Sequence, residues 1–187
     1  TAITQDHEGG LWLCDQLRGV VRLWHDKIRV FPSGPELPSQ VVNAAVTDPQ
    51  GNVWLGFQEG GISCYRDGVF RLYNAPQSVL ALHCDQSGRI WAAGLDGLSR
   101  FENDHFETLE TTSHFPHSEL SGLVEDDEGY FWIASRVGLV RVAPQELDKA
   151  FANPAYEITY DAYGLSDGLR GFPRHTRPFP IAAKSSD

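Results

Sequence analysis

The sequence contains no methionine, few basic residues and no long apolar run. Its 15 Lys and Arg stand against 25 Asp and Glu, which gives a formal net charge of −10. This charge argues against nucleic acid as a partner, because a phosphate-binding surface needs clustered basic side chains. No stretch reaches the roughly 18 apolar residues that a membrane-crossing helix needs, so no membrane contact is expected. No signal peptide is visible, but the chain begins at Thr1 without a methionine, so this absence says little.

Cysteine is also scarce. The three cysteines, Cys14, Cys64 and Cys84, have neither Cys-x-x-Cys nor metal-ligand spacing, and their odd number fits no disulfide framework. Each lies in a predicted strand, so we expect buried free thiols, with a disulfide or a reactive thiol as the alternative. Free thiols mildly disfavour an oxidising compartment.

What the sequence does contain is a repeat built around tryptophan. Four of the five tryptophans follow a glycine by three residues, and their successive separations are 42, 37 and 41 residues. Such a period is typical of repeat architectures. An Asp three residues before each Gly extends the motif to Asp-x-x-Gly-x-x-Trp. The repeat residues are Asp6, Gly9 and Trp12; Asp48, Gly51 and Trp54; Asp85, Gly88 and Trp91; and Asp126, Gly129 and Trp132.

The motif predicts a tight hairpin at the start of each unit. Asp at the first position and Gly at the fourth are typical of a type I turn, in which the Asp side chain accepts hydrogen bonds from nearby amides. The residue two positions after each Trp lies on the same face of the strand and is always small, which leaves room for a neighbouring indole or sheet. These small residues are Cys14, Gly56, Ala93 and Ala134. A third strand that begins at a Gly follows in every unit.

Four short antiparallel strands, apolar on both faces and with a Trp on the second strand, are typical of a β-propeller blade. The predicted fold class is therefore all-β. Blades are predicted at about 1–31, 42–73, 79–109 and 118–161. Within the fourth unit, residues 143–154 are predicted as a short helix and 156–161 as the outer strand. Residues 162–180 are predicted as a long loop, and 181–187 as the start of a further blade.

The order of the blades predicts how the tryptophans are buried. Trp54 and Trp91 are expected between neighbouring blades, whereas Trp12 and Trp132 are expected to be less buried in open end blades. This expectation assumes an incomplete larger propeller. A closed four-bladed ring, and an antiparallel sandwich with coincidental Trp spacing, are the alternatives.

The motif, followed by a segment of the form Gly-(Leu/Ile/Val)-x-(Arg/Cys)-(Phe/Tyr/Val), resembles the two-component regulator propeller repeat. The "YGLSDGL" segment at 163–169 is similar to one that interrupts these repeats, and the resemblance covers nearly the whole chain. It implies part of a seven-bladed ring that serves as the periplasmic sensor region of a bacterial inner-membrane protein. The output would be a histidine kinase, a hybrid two-component system or a diguanylate cyclase. No sequence motif of these outputs is present, so this chain is expected to be no enzyme and to bind no cofactor.

Ligands of propellers generally bind at the end that carries the connections from second to third strand and from one blade to the next. The polar residues there suit a small polar ligand, such as a sugar acid or an oligosaccharide, although each one taken singly can be an ordinary solvated turn residue. These candidates are Gln16, Arg18, Gln58, Glu59, Asp96 and Arg136. Other expected partners are the remaining blades and the output domain, and a homodimer stays open.

Two other functions remain as alternatives. One is a propeller lyase or glycan-active enzyme with a metal-assisted His/Glu site, and the other is a passive protein-interaction platform. The segment "HFPHSE" places His114, His117 and Glu119 close together. A Pro intervenes and no further ligand is evident, so no metal site is predicted. His83 lies in a predicted first strand and is expected to pack near the propeller axis.

Overall fold

The computed structural model describes residues 2–15, 19–38, 41–75, 78–110, 119–136, 138–171 and 182–183. Its strands form four sheets of four strands each, and neighbouring strands within every sheet are antiparallel. In each sheet the strands follow one another in chain order. This is the arrangement of propeller blades, so the predicted fold class is confirmed.

The four blades have similar strand lengths. Blade 1 contains β1 (Ala2–Gln5), β2 (Leu11–Asp15), β3 (Gly19–Trp24) and β4 (Lys27–Phe31). Blade 2 contains β5 (Val42–Thr47), β6 (Val53–Phe57), β7 (Ile62–Arg66) and β8 (Val69–Tyr73). Blade 3 contains β9 (Val79–Cys84), β10 (Ile90–Gly94), β11 (Gly97–Glu102) and β12 (His105–Glu110). Blade 4 contains β13 (Gly122–Glu125), β14 (Phe131–Ser135), β15 (Gly138–Val142), helix α1 (Pro144–Ala152) and β16 (Tyr160–Tyr163).

The first strands of successive blades lie side by side. The Thr4 and Thr47 hydroxyls of β1 and β5 are 3.1 Å apart, and the Asn43 side-chain amide donates to the Val79 carbonyl oxygen at 3.1 Å. These bonds join β5 to its neighbours on both sides. Both faces of the middle blades are covered, so every residue of β6 and β10 is buried.

The motif tryptophans of blades 1, 2 and 3 pack against the following blade. The Trp12 ring lies 4.8 Å from Tyr65, and the Trp54 ring lies 4.8 Å from Phe101 (centroid distances). The burial of Trp54 and Trp91 is therefore confirmed, and Trp132 is only partly buried. The expectation for Trp12 was wrong: it is fully buried, because blade 2 covers its face.

The small residue after each Trp makes room for the next blade. A Cβ atom built on Gly56 would lie 2.5 Å from Val79 Cγ1, which belongs to the first strand of blade 3. Such a contact is shorter than close packing permits. The predicted role of this position is confirmed at Gly56.

Blade 4 departs from the other three after β15. Helix α1 is confirmed, and its Phe151 ring packs 6.0 Å from Trp91, so it supplies an aromatic contact to blade 3. The outer strand was predicted at 156–161 but runs from Tyr160 to Tyr163. Glu146 of α1 explains the shift, because its carboxylate accepts hydrogen bonds from the Tyr156 hydroxyl and the Thr159 amide. These bonds hold the preceding residues against the helix.

The predicted loop also differs from expectation at its start. Residues 162–163 belong to β16, and a 3-10 helix follows at Leu165–Asp167. Most of 172–187 lies outside the described residues, so the start of a further blade at 181–187 stays a prediction. Among the described helices, none is long and apolar enough to cross a membrane.

Candidate functional site

The repeated motif forms the turns at one end of the blades. Asp48 shows the pattern: its Oδ1 accepts a hydrogen bond from the Asn52 amide at 2.8 Å, and its carbonyl oxygen accepts one from the Gly51 amide. Gly51 has φ +84°, a left-handed conformation that favours glycine. Equivalent bonds cap the turns at Asp6, Asp85 and Asp126. The predicted capping role of the Asp residues is confirmed.

The same carboxylates have a second role that sequence reasoning missed. In all four blades the Trp indole N–H donates to the second Asp oxygen, at 2.7 Å in blade 1 and at 2.8 Å in the others. The Asp thus ties the turn to the side chain that fills the blade junction. The fixed six-residue interval from Asp to Trp was the available signal.

Arginine joins this network in three blades. Arg22 Nε lies 2.7 Å from Asp6 Oδ2, and Arg89 and Arg141 make similar but longer ion pairs. Burial raises the pKa of Asp6, but hydrogen bonds from Arg22, Trp12 and a turn amide outweigh it and hold the pKa below its usual range. The pKa values of Asp85 and Asp126 are lowered by a similar balance. These carboxylates are therefore ionised structural groups.

The opposite end of the blades carries the predicted ligand-binding loops; we call this end the rim. Gln58 and Glu59 are exposed in the turn between β6 and β7, and the Gln58 amide donates to the Val41 carbonyl oxygen. Asp96 is exposed between β10 and β11, and Arg136 is exposed after β14. The remaining candidates, Gln16 and Arg18, lie outside the described residues.

Two of these loops meet at the junction of blades 3 and 4. The Glu119 amide donates to the carbonyl oxygen of Leu95, the residue before Asp96. Arg136 Nη1 lies 4.0 Å from Glu119 Oε1. Glu119 itself has φ +69°, a left-handed conformation that is uncommon for a non-glycine residue. The structure thus places Glu119, considered in the sequence only as a metal ligand, beside Arg136 and next to the Asp96 loop.

The histidines add little to this rim. His114 and His117 lie outside the described residues, and no group of three potential metal ligands occurs in the part that the structure describes. His83 lies in β9, with its Nε2 3.6 Å from Glu125 Oε2 and its ring 6.0 Å from Phe131 of blade 4. His83 therefore takes part in the junction between blades 3 and 4.

A cleft of about 260 Å³ lies between blades 1 and 2, at the end of the blades that carries the Asp-Gly turns. Its walls include His7, Arg22, Asn52 and Arg66. Arg22 already pairs with Asp6 and Glu8, and Arg66 Nε donates to the Asn52 side-chain oxygen. Of the four ligand-binding candidates that the structure describes, none lines this cleft.

Solved structures with the same fold include enzymes and signalling proteins. Virginiamycin B lyase from Staphylococcus aureus matches with a TM-score of 0.64 and 14% identity, over 87% of this chain and 54% of that one. The extracellular domain of a putative hybrid two component system from B. thetaiotaomicron matches with a TM-score of 0.58 and 16% identity, over 89% of this chain and 29% of that one. A gluconolactonase from Xanthomonas campestris matches with a TM-score of 0.54 and 11% identity, over 75% of this chain and 57% of that one.

These likenesses establish the fold alone, because all three identities are low. The chain spans about half the length of the lyase and less than a third of the two-component domain. No curated protein matches the sequence. The family model described as "Two component regulator propeller" matches residues 36–59, which contain the motif Asp48, Gly51 and Trp54. The chain therefore folds as β-propeller blades and carries a two-component regulator propeller repeat.

Proposed function

We propose that this chain is a ligand-sensing propeller segment of a bacterial two-component signalling protein. Its rim binds a small polar ligand, such as a sugar acid or an oligosaccharide, on the periplasmic side of the membrane. A kinase or cyclase domain outside the chain provides the output. The match of residues 36–59 to the two-component regulator propeller repeat supports this assignment, as does the fold shared with the extracellular domain of a hybrid system.

The observation that carries the ligand proposal is the convergence of Glu119, Arg136 and the Asp96 loop. Arg136 is 64% exposed, so its guanidinium can bind a ligand carboxylate or hydroxyl groups. Glu119 can accept hydrogen bonds from sugar hydroxyls. Glu119 lies just before the first strand of blade 4, and Arg136 directly follows its second strand. The sheet therefore holds both residues in fixed positions.

Isothermal titration with a set of uronic acids and neutral and acidic oligosaccharides tests this proposal. If a ligand binds, Arg136→Ala should weaken binding roughly ten- to a hundredfold, the usual value of a charged hydrogen bond. Arg71→Ala is a matched control, because Arg71 is similarly exposed and pairs with Asp104, but lies on the outer strand of blade 2. Absence of binding by the whole set, or equal losses in both variants, would contradict the proposal.

The same experiments separate sensing from catalysis. A metal-assisted lyase or glycan-active enzyme would convert a substrate, and His114→Ala or His117→Ala would abolish that turnover. We expect binding without turnover. The sensor assignment of the parent protein is tested by its adjoining sequence, which should encode a kinase or cyclase domain.

A further inference from the structure

The cleft between blades 1 and 2 has one wall from each blade; we call it the turn-end cleft. The blade 1 wall contains Asp6, His7 and Glu8 of the turn, together with Arg22 of β3. The blade 2 wall contains its Asp-Gly turn and residues 65–68, where β7 ends. All lining residues belong to these two neighbouring blades, each of which has its four strands, so the cleft does not depend on where the chain begins or ends.

Arg66 presents its guanidinium group to this cleft in a fixed position. Its Nε donates to Asn52 Oδ1 at 3.0 Å, and Asn52 Nδ2 donates to Asp48 Oδ2 at 2.7 Å. Among the described residues, the two terminal nitrogens of Arg66 have no hydrogen-bond or ion-pair partner. A guanidinium group held in this way suits a carboxylate, which it binds through two parallel hydrogen bonds.

The sequence of blade 2 explains why this arginine is open. In blade 1, Arg22 lies opposite the motif tryptophan, and its Nε bonds to the motif aspartate. In blade 2, Cys64 holds this position, and the arginine comes two residues later. The motif aspartate of blade 2 bonds to Asn52 instead, and Arg66 bonds to the oxygen of the same amide.

The blade 1 wall holds a carboxylate just as firmly. The Glu8 backbone amide donates to Asp6 Oδ1 at 3.1 Å, and the Glu8 carbonyl oxygen accepts from the Trp24 indole at 3.0 Å. Glu8 Oε2 accepts from Arg22 Nη2 at 2.6 Å, whereas Oε1 has no partner among the described residues. This wall therefore offers a fixed acceptor for a positively charged donor.

The charges of the two walls decide which ligand fits. With histidine neutral, the walls carry three carboxylates and two guanidinium groups. They are Asp6, Glu8, Asp67, Arg22 and Arg66. The excess negative charge opposes a simple anion such as a sugar acid or phosphate, and a simple cation leaves Arg66 unpaired. A ligand that carries both charges balances both walls. Its size is limited, because the cleft of about 260 Å³ is smaller than the roughly 300–1,000 Å³ of sites for drug-sized ligands.

We propose that the turn-end cleft binds a small α-amino acid in its zwitterionic form. The ligand carboxylate pairs with the terminal nitrogens of Arg66, and the ligand ammonium group donates to Glu8 Oε1. A short ligand side chain lies against Tyr65, which also lines the cleft. The cleft and the rim lie at opposite ends of the blades, so this is a second site. The inference does not depend on the ligand proposed for the rim.

Isothermal titration of the whole chain with glycine, L-alanine, L-serine and L-threonine tests this inference. At least one of these amino acids should bind. Two matched analogues of the tightest binder should bind roughly tenfold more weakly or not at all. One is the α-hydroxy acid, which lacks the ammonium group, and the other is the amide, which lacks the carboxylate. Absence of binding by all four amino acids, or equal binding of either analogue, would overturn the proposal.

Two variants locate the binding in the turn-end cleft. Arg66→Ala should weaken it roughly ten- to a hundredfold, and Glu8→Gln, which keeps an oxygen for the neighbouring arginine, roughly tenfold. The matched controls are Arg71→Ala, at an exposed arginine on β8 of the same blade, and Glu128→Gln. Glu128 accepts from Arg141 Nη2 at 2.8 Å in blade 4, as Glu8 does from its arginine in blade 1. Both controls should bind like wild type, and equal losses in cleft and control variants would overturn the proposal. Arg66→Gln replaces Arg66→Ala if circular dichroism shows that the latter is misfolded.

Discussion

Replacement of Trp54 by alanine should destabilise the chain by about 3–5 kcal/mol. The Trp54 side chain is 1% exposed and contacts the rings of Tyr73, Phe101 and Phe106. Alanine removes these contacts and leaves a cavity between blades 2 and 3. The surrounding rings belong to two sheets, which are held by their own hydrogen bonds and cannot collapse fully into the space.

The lost hydrogen bond is the smaller part of this effect. The Trp54 indole donates to Asp48 Oδ2 at 2.8 Å, but the same oxygen also accepts from Asn52 Nδ2 at 2.7 Å. Loss of one of two donors should cost about 1 kcal/mol. Trp54→Phe, which keeps a ring in the junction, should therefore cost about 1–2 kcal/mol.

The assay is equilibrium unfolding in urea, followed by far-ultraviolet circular dichroism so that the signal does not depend on tryptophan. Trp24→Ala is the control, because Trp24 is only partly buried and its indole donates to the Glu8 carbonyl oxygen at the surface. It should cost less than about 1.5 kcal/mol. A loss below about 1 kcal/mol for Trp54→Ala, or equal losses at the two positions, would refute the assignment of Trp54 to the junction core.

Three further predictions concern packing, acid stability and thiol reactivity. Gly56→Ala should lower the free energy of unfolding by about 1–3 kcal/mol, because it forces a methyl group onto Val79. A double-mutant cycle with Val79→Ala, measured by urea unfolding, should show that the smaller side chain at position 79 relieves part of this loss. Burial raises the pKa of Asp85, but hydrogen bonds from its turn and from the neighbouring indole outweigh it and lower the pKa. The stability that this lowered pKa contributes is present above the ordinary Asp pKa and is lost as the pH falls through the folded-state pKa. The urea midpoint of the wild-type chain should therefore drop between about pH 5 and pH 2, and Asp85→Asn should make this drop smaller. An unchanged drop in the variant would contradict the prediction. Burial raises the pKa of the Cys14 and Cys64 thiols to about 12. A disulfide reagent at mildly alkaline pH should therefore label both thiols slowly in the folded chain and promptly in urea. Equal labelling rates in the two states would show that the thiols are accessible in the folded chain.

The hairpins and the blade type could be predicted from sequence because their signals are local. Asp48 and Gly51 define a turn by their three-residue separation, and the side chains after Trp54 alternate between two buried faces. These relations depend on backbone geometry within a few residues. The same logic located helix α1 near Pro144.

The candidate site was only partly predictable. Arg136 and Asp96 could be assigned to the rim, since each follows the second strand of a blade. Their association with Glu119 could not be predicted, because it depends on how the start of blade 4 packs against the loop of blade 3. A spacing in sequence does not indicate which loops of different blades meet.

Sequence spacing by itself therefore determined the turns, the small residues and the four-stranded unit. Tertiary structure alone decided which side of each blade is covered. Trp12 and Trp132 occupy the same position in their repeats, yet Trp12 is fully buried and Trp132 is not. The indoles of Trp12, Trp54 and Trp91 pack against rings of the following blade, so their burial depends on a sheet built from residues distant in the chain.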